Sequence, residues 1–437
     1  MSFSHLAALL PADARCVLAF SGGLDSSVLL HQLVSWQRQQ PQLRVRALHV
    51  HHGLSPNADR WAAHCQQQCQ QWHIPCEVLR VQVDARAGGI EAAARTARYQ
   101  ALFSHLQPGE YLLTAQHLDD QAETLLLALK RGSGPAGLAA MPQQRQVNGH
   151  WHLRPLLNLS RQQLEAYAVG HQLDWIDDES NADRRYDRNF LRQDVLPLLQ
   201  ARWPHFSAAS ARSAALCGEQ EQLLDELLSE QLAQLTDAQG ALHFPPLLAC
   251  SEARRHALLR RWISERGGAM PARDALQRIT DEVMHSREDA QPCLRFGAHE
   301  LRRYRERLYW LPRQHSLSQH SLTWQPLTQP LILPDGLGEL RASLAQAELR
   351  QPAADEQVIV RFQAHGYHHV VGRAGGREMK KLWQELGVPP WQRERIPLIY
   401  YNQTLIAAPG LFVTRAGAAG ETQGWQAIWS TSKKEQQ

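Results

Sequence analysis

No run in this sequence is long and apolar enough to cross a membrane, and its first residues lack a basic stretch followed by an apolar one. A cytoplasmic protein without a membrane partner is the expectation. Charge of one sign is also missing. Forty-six lysines and arginines stand against 43 aspartates and glutamates, a formal net charge of +3. That excludes a strong global field, so any attraction for nucleic acid has to come from local basic patches. Cysteine is sparse and odd in number, seven residues at 16, 65, 69, 76, 217, 250 and 293. Such a set argues for free thiols over a disulfide framework. No Cys-x-x-Cys pair occurs, and Cys65, Cys69 and Cys76 are poorly spaced for a metal. No lysine follows Gly22-Gly23, which excludes the Gly-Lys-Ser/Thr phosphate loop.

What is present suits a soluble protein of two or three domains: 437 residues, 43% of them hydrophobic. Cys16 to Phe20 is a short apolar run without polar alternation, as in a strand covered on both faces. Ser21-Gly22-Gly23-Leu24-Asp25-Ser26-Ser27 follows and opens an amphipathic helix. Its glycines admit a close ligand, and its hydroxyls, free N–H groups and helix dipole point at an anion. Further strands are expected at Val45–His52, Cys76–Val83 and Tyr111–Ala115. Helices are expected at Ala58–His73, at Ile90–Leu106 after a Gly88-Gly89 break, and at Asp119–Arg131. This alternation predicts an α/β fold, a parallel doubly wound Rossmann-like sheet with ligands beyond the carboxyl ends of its strands.

The residues after each strand are therefore the candidates. His49, His51 and His52 end the second strand and suit a polar rim around a nucleotide base better than zinc. Arg95 and Arg98 share a helical face, either solvated beside Glu91 or touching phosphate. Asp120 and Glu123 share the first turn of the helix after the fourth strand, beside His117. Helix capping explains them, but so does a Mg²⁺–ATP complex or a cationic substrate. Arg131-Gly132-Ser133-Gly134 reads as a linker or a closing loop. Arg188 and Arg192 lie one turn apart, suited to an anion or to local salt bridges.

Beyond residue 205 the composition shifts. Residues 206–315 read as mainly helical, ending in a strand-turn-strand where Arg302, Arg303, Arg305 and Arg307 alternate with Tyr304 and Tyr309. Residues 316–350 read as a linker, and 351–437 as a small α+β domain. Lys380, Lys381 and Arg393 make that last part locally basic, as a solvated or an RNA-binding surface.

The Ser21 to Ser26 loop resembles the pyrophosphate loop of the N-type ATP pyrophosphatases, the PP-loop superfamily. Its occurrence with His49 to Leu54, Glu91 to Tyr99, His117 to Thr124, Arg131 to Gly134, Arg188 to Arg192 and the Lys380 to Pro397 segment resembles tRNA(Ile)-lysidine synthetase along almost the whole chain. That resemblance implies a catalytic domain at 1–205 and tRNA-binding domains at 206–315 and 351–437. It implies adenylation, by ATP with Mg²⁺, of the C2 carbonyl oxygen of the wobble cytidine in an isoleucine tRNA with a CAU anticodon. Free L-lysine then attacks C2 and AMP leaves. The product, lysidine, changes reading from AUG to AUA and charging from methionine to isoleucine. Ser21, Gly22, Gly23, Leu24, Asp25, Ser26, Ser27 and His49 are implied at ATP, and Asp25 and Asp120 at Mg²⁺. Asp25, Asp120 and Glu123 are implied in catalysis. Arg95, Arg98, His117, Arg188, Arg192, Lys380, Lys381 and Arg393 are implied at substrate or tRNA. A homodimer is left open. The alternative within the superfamily is a tRNA thiolase, and the missing Cys-x-x-Cys counts against it.

Overall fold

Cys16, Val17 and Leu18 are buried, as a strand covered on both faces requires. They belong to β1 (Arg15–Ala19) in a computed structural model that describes residues 4–83, 90–287, 290–344, 347–420 and 424–431. The chain divides into two units, 1–227 and 228–437.

In the first unit, a single turn α1 (Ser4–Ala7) precedes β1. Then come α2 (Leu24–Gln39), β2 (Arg44–His51), α3 (Ala58–Gln71), β3 (Cys76–Arg80), α4 (Ile90–Ser104), β4 (Glu110–Leu113) and α5 (Leu118–Lys130). The short α6 (Pro135–Leu138), a hairpin of β5 (Gln144–Val147) and β6 (His150–Leu153), and α7 (Arg161–Gly170) follow. Strand order is β3-β2-β1-β4-β6-β5, and every pairing is parallel except β5–β6. The expected parallel sheet is there, and both faces are covered. Val17, Leu48, Leu102 and Leu112 pack on one side, and Cys16, Leu18, Leu30, Leu33 and Tyr167 on the other. The Gly88-Gly89 break lies outside the described residues. The β5–β6 hairpin was not anticipated, although Asn148 (φ 50°) and Gly149 (φ 78°) carry the Asn-Gly signal of a two-residue turn.

Because β2 and β4 flank β1, the order reverses between β1 and β4. Beyond the strand ends at such a reversal lies the crevice where folds of this kind take their ligands. After α7 the chain runs through α8 (Asp187–Phe190), a π-helical turn Leu191–Val195, α9 (Leu196–Arg202) and α10 (Phe206–Leu235).

In the second unit, helices Glu252–Glu265 and Arg273–Arg278 bury Trp262, Ile263 and Leu276 against Leu301 and Leu308 of a four-stranded antiparallel sheet. The strand-turn-strand at Leu294–Trp310 is part of that sheet. Residues 316–350 differ from the linker expectation. They contribute Ser321–Thr323, Leu331–Ile332 and Glu339–Ser343 to two further sheets, and they bury Trp324, Leu333, Leu340 and Leu349 with Trp425. Trp324 packs edge-on to Trp425, ring centres 5.5 Å apart. Pro and Ser in that segment mark strand ends and turns of the last domain.

Candidate active site

The loop between β1 and α2 is built around one backbone requirement. Gly22 has φ +81°, and a Cβ there would meet Cys65 Sγ at 2.8 Å and Ile176 Cδ1 at 3.0 Å. Its carbonyl accepts from Ile176 N at 2.9 Å, which ties the loop to the chain after α7. Gly22→Ala combines a left-handed backbone with this clash, so we expect a loss of about 2 kcal/mol in thermal stability and a larger loss of ATP use. Thermal melts and AMP formation check this together. Wild-type melting and turnover would contradict it.

Gly23 caps α2 without a side-chain hydrogen bond, so the first-turn N–H groups face the crevice uncapped. The serines are less available than expected. Ser26 Oγ donates to Gly23 O at 3.0 Å, and Ser27 Oγ, fully buried, donates to Gly22 O at 3.4 Å. Ser21 is exposed, with Oγ 3.0 Å from Ser26 Oγ. Leu24 is buried beneath the loop. Backbone N–H groups and the exposed Ser21 are therefore what the loop leaves open to a ligand, while Ser26 and Ser27 bond within it.

Acids and arginines converge on the β1/β4 side. His117 caps α5: its Nδ1 accepts from Asp119 N at 3.2 Å, and Asp120 Oδ2 accepts from His117 N at 3.0 Å. That leaves His117 Nε2 facing Asp25 Oδ2 at 3.8 Å and Asp120 Oδ2 at 3.6 Å, so both carboxylates flank one imidazole edge. Asp25 keeps 26% of its side chain exposed. Burial raises its pKa above the ordinary carboxylate value, against the pull of His117 and Arg161. Arg161 Nη1 bonds both Asp25 oxygens, at 3.0 and 3.1 Å.

Glu123 differs from its expected place. It is fully buried behind two arginines. Arg192 donates Nε to Glu123 Oε1 at 2.7 Å and Nη2 to Asp120 Oδ1 at 2.9 Å, while Arg188 Nη1 reaches Glu123 Oε2 at 3.3 Å. Burial raises the Glu123 pKa, and Arg192 and Arg188 oppose it. Arg188 and Arg192 thus grip an anion supplied by the chain itself. They sit on either side of the α8 to π-helix junction, a kind of irregularity that recurs at functional sites.

Other expected residues are placed as follows. His117 is 2% exposed, so it orients the acids rather than presenting a surface to RNA. His49 is buried, its Nδ1 2.9 Å from Phe20 O and 3.3 Å from Cys65 Sγ, and burial lowers its pKa. It supports the loop as a neutral ring. His51 pairs with Asp59 at 3.2 Å, and His52 accepts from Arg98 Nε at 3.2 Å. Asn57 holds the N-cap position of α3 without a side-chain cap bond, and its side chain donates to Glu179 Oε1 at 3.1 Å. Arg95 lies over the Tyr99 ring at 5.2 Å, and the Glu91 side chain is outside the described residues. Among the described residues no group of His, Cys, Asp or Glu is arranged to hold a metal by itself. The Gly-rich loop is anchored at its far end, where Gln121 makes paired hydrogen bonds to Met141 N and O at 2.9 and 2.8 Å.

In the second unit, Lys380 and Lys381 are exposed. Arg393 is half-buried and donates Nε to Val388 O at 3.1 Å, and burial lowers its pKa. It braces the fold there and is a poorer RNA contact than expected. The arginines among aromatics are engaged as well. Arg302 holds Glu300 at 2.7 Å, and Arg303 caps the carbonyls of Val283, Met284 and Ser286.

Two site residues escaped the sequence reading, Arg161 and Asp119. Asp119 Oδ2 accepts from Arg161 N at 2.8 Å, and its Oδ1 accepts from Gln200 and Ser207, each at 2.7 Å. It fixes the start of α7 so that Arg161 reaches Asp25. Arg161 had no local signal, since its partner is 136 residues away.

A parallel sheet with its crevice at β1/β4, an uncapped Gly-Gly turn at that crevice and acids beside it define an ATP-utilising PP-loop enzyme. Residues 3–199 match the family described as "PP-loop domain". Residues 242–309 match the "TilS substrate binding domain", and 358–429 the "TilS substrate C-terminal domain". The chain is 60% identical over 427 residues to the tRNA(Ile)-lysidine synthase of Serratia proteamaculans, covering 98% of each protein. It is 58% identical to that of Pectobacterium atrosepticum, covering 94% of each. The chain belongs to the tRNA(Ile)-lysidine synthase family, and the thiolase alternative falls. A solved tRNA thiolase from Methanococcus maripaludis is 16% identical with a TM-score of 0.42, covering 47% of this chain and 73% of that one. No helix among the described residues is long and apolar enough to cross a membrane.

Proposed function

We propose that this enzyme joins free L-lysine to C2 of the wobble cytidine of the CAU-anticodon isoleucine tRNA. ATP activates the C2 carbonyl oxygen as an adenylate with loss of pyrophosphate. The lysine ε-amine then forms the C–N bond and AMP departs. The observation that carries this is the meeting of Asp25 and Asp120 around His117, beside the uncapped first turn of α2, in a chain of this family.

The uncapped N–H groups of α2 and the Ser21 hydroxyl bind the phosphates. Asp25 and Asp120 supply the hard oxygen donors that Mg²⁺ takes alongside substrate phosphates. Their chemistry would fit the ion, and each carboxylate is partnered by one arginine, Asp25 by Arg161 and Asp120 by Arg192. When bound, Mg²⁺ would neutralise phosphate charge as the α-phosphoryl group is transferred. An ammonium is no nucleophile, so lysine must lose a proton before attack. Of the two α5 carboxylates, Asp120 keeps 12% of its side chain exposed and is the one a substrate amine can reach, whereas Glu123 is sealed behind the arginine pair. We assign residues 1–205 to catalysis, and 206–315 and the part beyond to tRNA binding. The cytoplasm is where such a substrate is met.

AMP formation from Mg²⁺–ATP should require both lysine and the isoleucine tRNA. AMP formation that ignores tRNA would overturn the proposal. Charge reversal at Lys380 and Lys381 should weaken tRNA binding at least several-fold and flatten its salt dependence by about one log unit for each phosphate no longer neutralised. Filter binding across a salt series checks this. An unchanged slope would remove the last domain as an RNA contact.

A further inference from the structure

The β5–β6 hairpin and α4 bring together a cluster that the chemistry above does not use. His152, on β6, is fully buried. Its Nδ1 lies 3.3 Å from Arg145 Nε and 3.4 Å from Arg154 Nη2. Two guanidinium donors on one ring nitrogen require a lone pair there, so the ring hydrogen is on Nε2. That hydrogen goes to Thr114 Oγ1 at 2.8 Å, and Thr114 donates onward to the Gln116 side-chain oxygen. Burial above all, then Arg154, Arg145 and Arg95, lowers the His152 pKa to about 3, so the ring stays neutral. Tyr99 packs against it with ring centres 5.5 Å apart, and Arg95 lies over Tyr99.

The charges here are unbalanced. Arg161, Arg188 and Arg192 each hold a carboxylate. Neither Arg145 nor Arg154 forms an ion pair among the described residues. Arg154 is 2% exposed, gives Nη1 to Pro142 O at 2.6 Å and leaves Nε buried without a hydrogen-bond partner among the described residues. Burying a guanidinium without a counter-ion costs free energy, and a guanidinium fork matches a phosphate oxygen pair. Arg145 and Arg95 are exposed, so an anion can reach the cluster from solvent. ATP phosphates already have the α2 turn, and of the remaining anions, the lysine carboxylate and the RNA backbone, a salt-dependent loss of tRNA binding marks the RNA backbone.

We propose that Arg95, Arg145 and Arg154, arranged around Tyr99 and His152, form a subsite for one backbone phosphodiester of the tRNA. The subsite deepens the function proposed above and rests on it. The bonds from His152 through Thr114 to Gln116 join it to the segment that carries His117 and Asp120. A seated phosphodiester would therefore fix where the neighbouring base lies relative to the acids.

Arg145→Glu tests this directly, because the new carboxylate can pair with Arg154 in the place of the phosphate. Arg145 is exposed on a hairpin, so the fold should tolerate the change. The expected result is a Tm equal to or above wild type, tRNA binding weakened about tenfold or more, and a salt slope reduced by about one to two units. ATP affinity without tRNA should not change. Arg95→Gln should also weaken tRNA binding and lower the slope by about one unit. Unchanged tRNA affinity and slope in both variants would overturn the subsite. A loss confined to ATP affinity would overturn it too, by assigning the phosphate to ATP. Wild-type protein assayed alongside keeps the two levels apart. Lysine transfer by wild type with unaltered binding in the variants sinks the subsite alone, whereas no tRNA-dependent AMP from wild type sinks the function.

Discussion

Asp25→Asn should slow tRNA-dependent AMP formation by about 10²- to 10³-fold while tRNA binding stays close to wild type. The substitution keeps size and one of the two acceptors for Arg161 but removes the charge that opposes it and that offers oxygen to a cation. With asparagine there, Arg161 is left to neutralise phosphate charge from the wrong position. The loss should lie in the rate at saturating ATP and Mg²⁺, because the phosphate-binding N–H groups of α2 are untouched. Quenched single-turnover assays separate the cases. A variant that matches wild type at saturation would make Asp25 a loop-structuring residue only.

Arg192→Leu should cost about 3 kcal/mol of stability near neutral pH, because Glu123 is then buried with only Arg188 to oppose it. The pH dependence gives the cause. Burial raises the folded-state pKa of Glu123 above its unfolded value, so the native state holds that proton more tightly. Stability from such a group is greatest below the unfolded pKa and declines as pH rises through the raised one. Removing Arg192 takes away a charge that holds the pKa down, so the variant's deficit should shrink on acidification. Denaturant melts near pH 5 and near pH 8 read this out. An equal deficit at both would assign the cost to lost packing.

The elements that the chain repeats locally were legible in its sequence. Cys16–Phe20, the Gly-Gly turn and the β-α alternation follow from periodicity and turn chemistry, and they locate the crevice. Asp25 and Asp120 were legible because each sits in the first turn of the helix that follows a strand. What pairs with them was not. Arg161 and Arg192 reach Asp25 and Asp120 across 136 and 72 residues, and no local pattern encodes such a contact. Burial was equally hidden. Asp120 and Glu123 read alike on a helical face, yet only tertiary packing seals Glu123 behind two arginines. Residues 316–350 misled because Ser and Pro that punctuate short strands look like a linker when Ser321–Thr323 pairs with residues 359–361 and Glu339–Ser343 with residues 426–430.

The most direct measurement is transfer of labelled lysine to an isoleucine tRNA transcript, with Mg²⁺–ATP, comparing cytidine with uridine at the wobble position. Lysine ligation predicts label on the cytidine transcript, none on the uridine one, and AMP in step with the label. AMP without label would mean a different nucleophile. Label on both transcripts, or no AMP with either, would contradict the central claim.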